Sequence, residues 1–304
     1  MSTPPAEVRD DPFETRALTP FQLARYRAAR HPGLLIGATL YALLALCALF
    51  APLLAPHDPF EANAALRLIP PVWNEAGSWT NVLGTDAFGR DILSRVLYGT
   101  RISLGIGLAV ATFSMLIGTT LGLIGGYFGG RIDAFVMYLI TTKLAMPQLV
   151  VLLALLSVLG GSVLVLIVVI AALGWDRYAM VIRPLTMRMR QQEFTLAAEV
   201  IGASKPRILF GELLPNVMDQ ILVIMTVEMG LVIVIEAAIS FLGLGLPPPT
   251  PSLGLMIAEG REYMFFLPYL MVIPGSVIFV AEIAIFLLGD GIGDLFAPDD
   301  RSTQ

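Results

Sequence analysis

Six apolar stretches, sparse in charge, run through the chain: Leu34 to Leu54, Ile102 to Gly126, Ala134 to Leu159, Val163 to Gly174, Val217 to Leu242 and Pro268 to Gly289. About 20 such residues at 1.5 Å each cross the roughly 30 Å hydrocarbon core of a bilayer. Inside lipid every backbone N–H and C=O must be satisfied within the chain, so segments of this length and composition read as helices. The fold expected is therefore an all-α integral membrane protein with six transmembrane helices. The fourth stretch spans only if its helix continues through Trp175 and Tyr178 towards Ile182, which would carry Asp176 and Arg177 close to an interface.

Composition agrees. Of the 304 residues 56% are hydrophobic and 14% charged, and the mean hydropathy is +0.78, which excludes disorder, collagen and a disulfide-stapled secreted scaffold. Cys47 is the single cysteine and lies in an apolar run, so no intramolecular disulfide or cysteine metal cluster can form. His31 and His57 stand alone in proline-flanked segments and read as linker residues.

Basic residues give the orientation. With a cytoplasmic amino terminus, the inner segments hold Arg9, Arg16, Arg25, Arg27, Arg30, Arg131, Arg177, Arg183, Arg188, Arg190, Lys205, Arg207 and Arg301. The outer ones hold only Arg67, Arg90, Arg95, Arg101 and Arg261. The positive-inside rule then places both termini in the cytoplasm. The polar lead before the first stretch is too long for a cleaved signal peptide. The expected organisation is an inner segment 1–33, a first span 34–54, an external segment 55–101, a core 102–290 with an internal loop at about 176–216, and a tail 291–304. Within the external segment, Asp86 to Tyr98 alternates apolar and polar side chains at helical spacing, as an amphipathic helix at the outer interface would.

Catalytic motifs are missing. A P-loop needs Gly-Lys followed by Ser or Thr, and neither Lys143 nor Lys205 follows a glycine, so this chain does not bind ATP that way. Gly289 to Asp294 lacks the carboxylate spacing of a calcium loop and reads as a helix cap and turn. Gly118, Gly122, Gly126 and Gly130 have the small-xxx-small spacing of close helix packing. Lys143, Glu228 and Glu282 fall inside spans. An unpaired charge at a span centre costs at least about 2.5 to 3.5 kcal/mol, so Lys143 should pair with Glu228 or Glu282, or face a water-filled path. Glu236 should sit near the outer interface.

The internal stretch Glu193 to Asn216 reads as two short helices at a bend. Gly202 ends the first, Ser204 caps the second, and Pro206 lies in the second helix's first turn. Ala197, Ala198 and Gly202 make a small-residue face that can enter another protein's groove or fold back on its own bundle. These residues, with Leu214, Pro215 and Asn216, resemble the EAA loop by which ABC importer permeases couple to their ATPases. Leu83 to Asp91, including Gly84, Thr85, Asp86, Gly89, Arg90 and Asp91, then Leu93 to Arg95 and Tyr98 to Arg101, resemble the segment after the first span in the C-type permease of dipeptide and oligopeptide importers. Ser240 to Gly245, Pro248 to Ser252 and Leu288 to Gly291 resemble that family's carboxy-terminal half.

The resemblance covers roughly residues 20 to 298. It implies a permease of the bacterial inner membrane, with an N-terminal helix and a five-helix core, working by alternating access. The implied partners are a homologous second permease, two ATPase subunits, an external solute-binding protein and the lipid bilayer, with no nucleic acid. It implies no cofactor on this chain, with ATP and Mg on the partner subunits, and no enzymatic activity of its own. In the coupling segment it marks Glu193, Ala197, Ala198, Gly202, Ala203, Ser204, Pro206, Leu214 and Pro215. Leu196 departs from the pattern, standing where a glutamate is usual. So do Thr141, where an aspartate is common, and Lys143, where no lysine is expected. The solute could also be nickel or another peptide-like molecule, and a self-contained ion-coupled carrier using Lys143, Glu228 and Glu282 is the alternative of a different class.

Overall fold

The computed structural model describes residues 28–296. Arg9, Arg16, Arg25, Arg27 and Arg301, which contribute to the orientation above, lie outside the described residues, as does the tail beyond residue 296.

The described residues are helical. The main elements are α1 (Pro32–Leu49), α2 (Ile92–Phe128), α3 (Gly130–Leu144), α4 (Gln148–Leu159), α5 (Val163–Gly174 continuing as Asp176–Met189), α6 (Glu193–Val200), α7 (Met218–Phe241), α8 (Leu253–Gly260) and α9 (Tyr269–Phe296). Five are long and apolar enough to cross a membrane: α1, α2, α5, α7 and α9. The pair α3 and α4 makes a sixth span if counted as one. α2 is the central post and packs along α5, α7 and α1; α9 lies against α1 and α7, with α8 tucked beside it. Ile106 and Val110 of α2, Leu156 of α4, Ile170 of α5 and Val232 of α7 share one buried core. Outward-facing Leu43, Val168, Phe279 and Phe286 are exposed, as a lipid-facing surface requires.

The third stretch is not one straight span. α3 and α4 meet at 82° across Ala145 to Pro147. Proline has no N–H to continue the ladder and disfavours helical geometry in the residue before it, so the helix stops ahead of Pro147 and restarts after it. The fourth stretch continues as its length required, running past Trp175 to Met189. Asp176 therefore lies about 20 Å from either end of α5, near the middle of the helix.

No separate amphipathic helix forms at Asp86 to Tyr98. Asp86 to Arg90 is a loop, and α2 begins at Ile92 and runs unbroken through the second span. The polar face is turned inward: Arg90, Asp91, Ser94 and Arg95 are all buried. Arg90 and Arg95 donate to Asp86 and Ser94 donates to Asp91, so much of that face is satisfied within the protein and not by water at the surface.

Glycines set the closest approaches. A Cβ at Gly118 would come 2.0 Å from the Trp175 carbonyl oxygen, and one at Gly126 2.6 Å from that of Arg183, so this stripe lets α2 touch the α5 backbone. Gly130 does not belong to the stripe, since its φ is +54° and a Cβ there would meet open space. It makes the turn into α3. The expected cap and turn at Gly289 to Asp294 are absent too, and α9 passes straight through them. A Cβ at Gly291 would lie 2.6 Å from Leu34 Cβ, and one at Gly37 2.8 Å from Leu287 Cβ. These glycines seat α1 on α9. His31 finishes that contact: its Nδ1 accepts from the Leu34 N–H at 3.0 Å and caps α1, while Nε2 lies 2.9 Å from Asp294. It is a cap and a clasp, more than a linker residue.

Candidate functional site

Three polar constellations stand out, one at each end of the bundle and one in its middle. At the end that charge distribution assigns to the outside, the loop before α2 folds around Asp86. Gly84 (φ +82°) and Gly89 (φ +76°) turn the chain where a side chain would collide with the Ile69 and Asn63 carbonyls. The Thr85 hydroxyl accepts from the Ile69 N–H at 2.9 Å, and Asp91 caps α2 by accepting from the Ser94 N–H at 2.8 Å. Asp86 accepts from the Phe88 and Arg90 amides at 2.8 and 3.0 Å, from Arg90 Nε at 2.7 Å, and from Arg95. Burial alone would push the Asp86 carboxyl up. The opposing charge of Arg95, the Arg90 and Phe88 amides and the Arg90 charge outweigh it and hold the group below its ordinary value. Arg90 and Arg95 also reach Glu259 on α8, at 3.0 and 2.9 Å. Two arginines and two carboxylates thus clamp the outer loop to α8.

In the middle, Lys143 pairs with neither of the expected glutamates. Its Nζ lies 2.6 Å from Asp176 Oδ1. Glu228 is instead bonded to Arg177, whose other terminal nitrogen reaches Gln148 Oε1 at 3.4 Å. Glu282 approaches Gly230, and its Oε1 is buried without a hydrogen-bond partner among the described residues. The correction has a geometric cause. The bend after Lys143 and the continuation of α5 together bring Asp176 to the lysine. Further along α5, Arg183 forms a two-pronged pair with Asp133 of α3. One face of α5 is therefore ionically bound to α3 and to α7 and hydrogen-bonded to the start of α4.

Glu236 is fully buried, with no arginine, lysine or histidine paired to it among the described residues. Ser240 and Ser103 donate to it at 2.8 and 3.3 Å, and Ser252 also bonds to it. Ser103 belongs to α2 and Ser252 caps α8 by accepting from the Leu255 N–H, so this carboxylate ties α2, α7 and α8 together.

At the inner end, α6 stops at Ile201 and Gly202 turns the chain at φ +83°. Pro206 lies in the first turn of Lys205–Arg207, but the Ser204 side chain makes no capping bond, and the 3.0 Å bond to the Ile208 N–H comes from its carbonyl. A π-turn segment, Ile208–Leu213, and a short turn, Leu214–Asn216, lead into α7. The anticipated small-residue face is split. Ala197 and Gly202 are exposed, while Ala198 and Ala203 pack against the bundle core around Tyr178, Ile182 and Leu213. The residues that project are Val200 and Ile201, 88% and 85% exposed, with Leu196 beside them. Glu193, Pro206 and Pro215 are exposed and Leu214 is half-buried. Glu199 accepts from the Tyr127 hydroxyl at 2.8 Å, fixing α6 to the inner end of α2.

The model of the family described as binding-protein-dependent transport system inner membrane component matches residues 118–299, and that of the N-terminal transmembrane domain of oligopeptide transport permease C matches residues 19–71. The chain belongs to this permease family. A dipeptide transport system permease protein of Haemophilus influenzae is 38% identical to it, over 95% of this chain and 98% of the relative. A di/tripeptide transport system permease protein of Pseudomonas aeruginosa is 37% identical, over 89% of each. A glutathione transport system permease protein of Pectobacterium atrosepticum is 35% identical, over 88% of this chain and 87% of the relative.

For this permease, the residues singled out in the sequence fall in the loop before α2 and in the segment between α5 and α7. Sequence reading missed Glu259, Asp176, Arg177 and the Asp133–Arg183 pair. The adjacent opposite charges Asp176-Arg177 at the end of an apolar run were the available signal for two of these. It also missed Val200 and Ile201, whose signal was two bulky apolar residues immediately before a helix-ending glycine.

Proposed function

We infer that this permease is one of two homologous membrane subunits of an ATP-driven importer for dipeptides or short oligopeptides. An external binding protein delivers the solute, and two ATPase subunits carry the ATP and Mg. The substrate class rests on the names of the relatives above. The coupling role rests on one observation in this chain: a short helix, fixed to the bundle by Tyr127 and Ala198, pushes two bulky apolar side chains out of the inner end. A projecting apolar pair of this kind fits a groove on another protein. α6 follows α5 directly, and α5 is ionically bound to α3 and α7 and hydrogen-bonded to α4, so force applied at Val200 and Ile201 moves those helices as a unit. Both termini are cytoplasmic in this reading.

The test is Ile201→Asp in the assembled transporter. Because the side chain is exposed, the fold and the pairing of the permeases persist, while peptide uptake and binding-protein-stimulated ATP hydrolysis fall at least tenfold. Normal uptake in that variant sinks the coupling role. Replacing the Walker lysines of the ATPase partners abolishes uptake, whereas an ion-coupled carrier would be indifferent. The pairing of Lys143 and Glu228 with Asp176 and Arg177 supports the ATP-driven reading, since those charges are engaged in holding helices. The relative named for glutathione keeps a peptide-like solute other than a dipeptide as the second reading of the substrate.

A further inference from the structure

At the inner end, basic side chains gather around the corner where α2 turns into α3. The apolar run of α2 ends at Gly126, so Tyr127 and Phe128 stand where hydrocarbon gives way to phospholipid headgroups. Their rings meet edge to face at 5.2 Å. The Arg190 guanidinium lies 5.8 Å from the centre of the Tyr127 ring, and Lys205 Nζ lies 5.2 Å from that of Phe128. Arg190 also reaches the turn itself, its Nη1 3.5 Å from where a Cβ on Gly129 would be. Arg131 follows two residues on, so three cations surround one turn. All three are exposed, and none forms an ion pair with a described residue. Of the nearby carboxylates, Asp133 is matched by both prongs of Arg183, and Glu199, which accepts from the Tyr127 hydroxyl, is a single charge against three. Positive charge is left over at this corner for something outside the chain.

The surface that continues from the corner says what that is. On α3, Arg131, Phe135 and Tyr138 share one face at i, i+4 and i+7, with Phe135 60% and Tyr138 64% exposed. An exposed aromatic stripe on a helix of a membrane protein lies against acyl chains, which sets Arg131, at its head, level with the lipid phosphates. An anionic phospholipid matches both halves, its phosphate the basic corner and its chains the stripe, whereas an acidic protein surface matches the corner alone. We propose that Arg131, Arg190 and Lys205 hold the headgroup of one anionic phospholipid beside Tyr127 and Phe128, with its chains along Phe135 and Tyr138. Arg190 precedes α6 and Lys205 follows it, so this lipid pins both flanks of the helix that carries Val200 and Ile201. The assignment does not depend on which solute the permease carries.

Native mass spectrometry of the full chain in non-ionic detergent measures binding of phosphatidylglycerol and of phosphatidylcholine with the same two acyl chains. One phosphatidylglycerol is expected to bind at least tenfold more tightly than phosphatidylcholine. A basic residue at an anionic lipid surface is worth about fivefold in binding, so replacing Arg131, Arg190 and Lys205 together by glutamine should remove at least about tenfold of the affinity for phosphatidylglycerol and leave that for phosphatidylcholine unchanged. The three side chains are exposed, so the variant should melt with the parent in phosphatidylcholine nanodiscs and below it in phosphatidylglycerol ones. Arg188→Gln with Arg207→Gln removes two exposed basic residues that stack on neither ring, and should change the affinity less than twofold. An equal loss in that control reduces the effect to diffuse attraction and overturns the site, as does equal binding of the two lipids. Glycerophosphoglycerol, the same headgroup without chains, is the third ligand. If it raises the melting temperature as much as phosphatidylglycerol does, the corner takes a free phosphodiester and the lipid assignment fails.

Discussion

Replacing Lys143 with methionine removes the partner of a carboxylate that has nowhere else to go. The side chain of Asp176 is 2% exposed, and its Oδ1 lies 2.6 Å from the lysine nitrogen near the middle of the 27-residue α5. Breaking a buried pair by deleting one member costs about 3 to 5 kcal/mol, because the remaining charge stays buried and uncompensated. The neighbouring Arg177 is committed to Glu228, and losing Lys143 also leaves two carboxylates, Asp176 and Glu228, to share that one guanidinium. Lys143→Met should therefore lower the apparent melting temperature of the purified permease by on the order of 5 to 10 °C. Lys143→Met with Asp176→Asn should recover at least half of that loss, since removing both members takes the buried charge with them. The assay is thermal unfolding in nanodiscs at fixed lipid composition, followed by the reactivity of Cys47, with the two single variants and the double variant completing a cycle. The pairing is refuted if the double variant is no more stable than Lys143→Met alone, or if Glu228→Gln or Glu282→Gln rescues the lysine variant equally well.

Gly118→Ala should destabilise the permease by about 1 to 3 kcal/mol, because the new methyl group meets the Trp175 carbonyl. Gly105→Ala on the same helix meets open space and should be neutral or slightly stabilising in the same unfolding assay. The Asp86 carboxyl is held below its unfolded value, so its contribution is complete above the unfolded pKa and is lost as pH falls towards and through the depressed folded value. Melting curves stepped from pH 6 down to pH 3 should show an acid loss that Asp86→Asn reduces in size, from a lower starting stability. For topology, Cys47→Ser with single cysteines at Asn63 or Val200, both exposed, should give labelling of intact cells by an impermeant maleimide at Asn63 only. Labelling at Val200 alone reverses the orientation.

Apolar run length was enough to find the spans, because lipid imposes one requirement on every residue in them. It misjudged what happens between runs. Met146-Pro147 marks a break, yet the mostly apolar residues on either side read as one continuous span, and it is the bend there that turns Lys143 towards Asp176. The fourth helix runs on past Gly174, where hydropathy falls, and beyond Ile182 to Met189, which puts Asp176 near the middle of the helix. The backbone had no reason to stop at Gly174: a glycine and two charged residues continue a helix readily when neighbouring helices supply counter-charges. In the outer loop, Gly84, Thr85, Asp86 and Gly89 announce tight turns and a capped helix by residue type alone. Glu259 could not be found that way, because its partner Arg90 lies 169 positions earlier and only the folding of α8 against α2 brings them together.

α2 is continuous for 37 residues, about 55 Å, longer than the hydrocarbon core it crosses. One end holds the arginines that grip Glu259, and the other carries Tyr127, which grips Glu199. A stiff rod pinned where Gly118 rests on α5, about 39 Å from its start and 15 Å from its end, behaves as a lever with unequal arms. Each degree of tilt shifts the two tips in opposite directions, by about 0.7 Å at the start and about 0.3 Å at the end. Movement at the Glu259 end is thereby tied mechanically to opposite movement at the Glu199 end, and shifting both ends the same way would require the rod to bend.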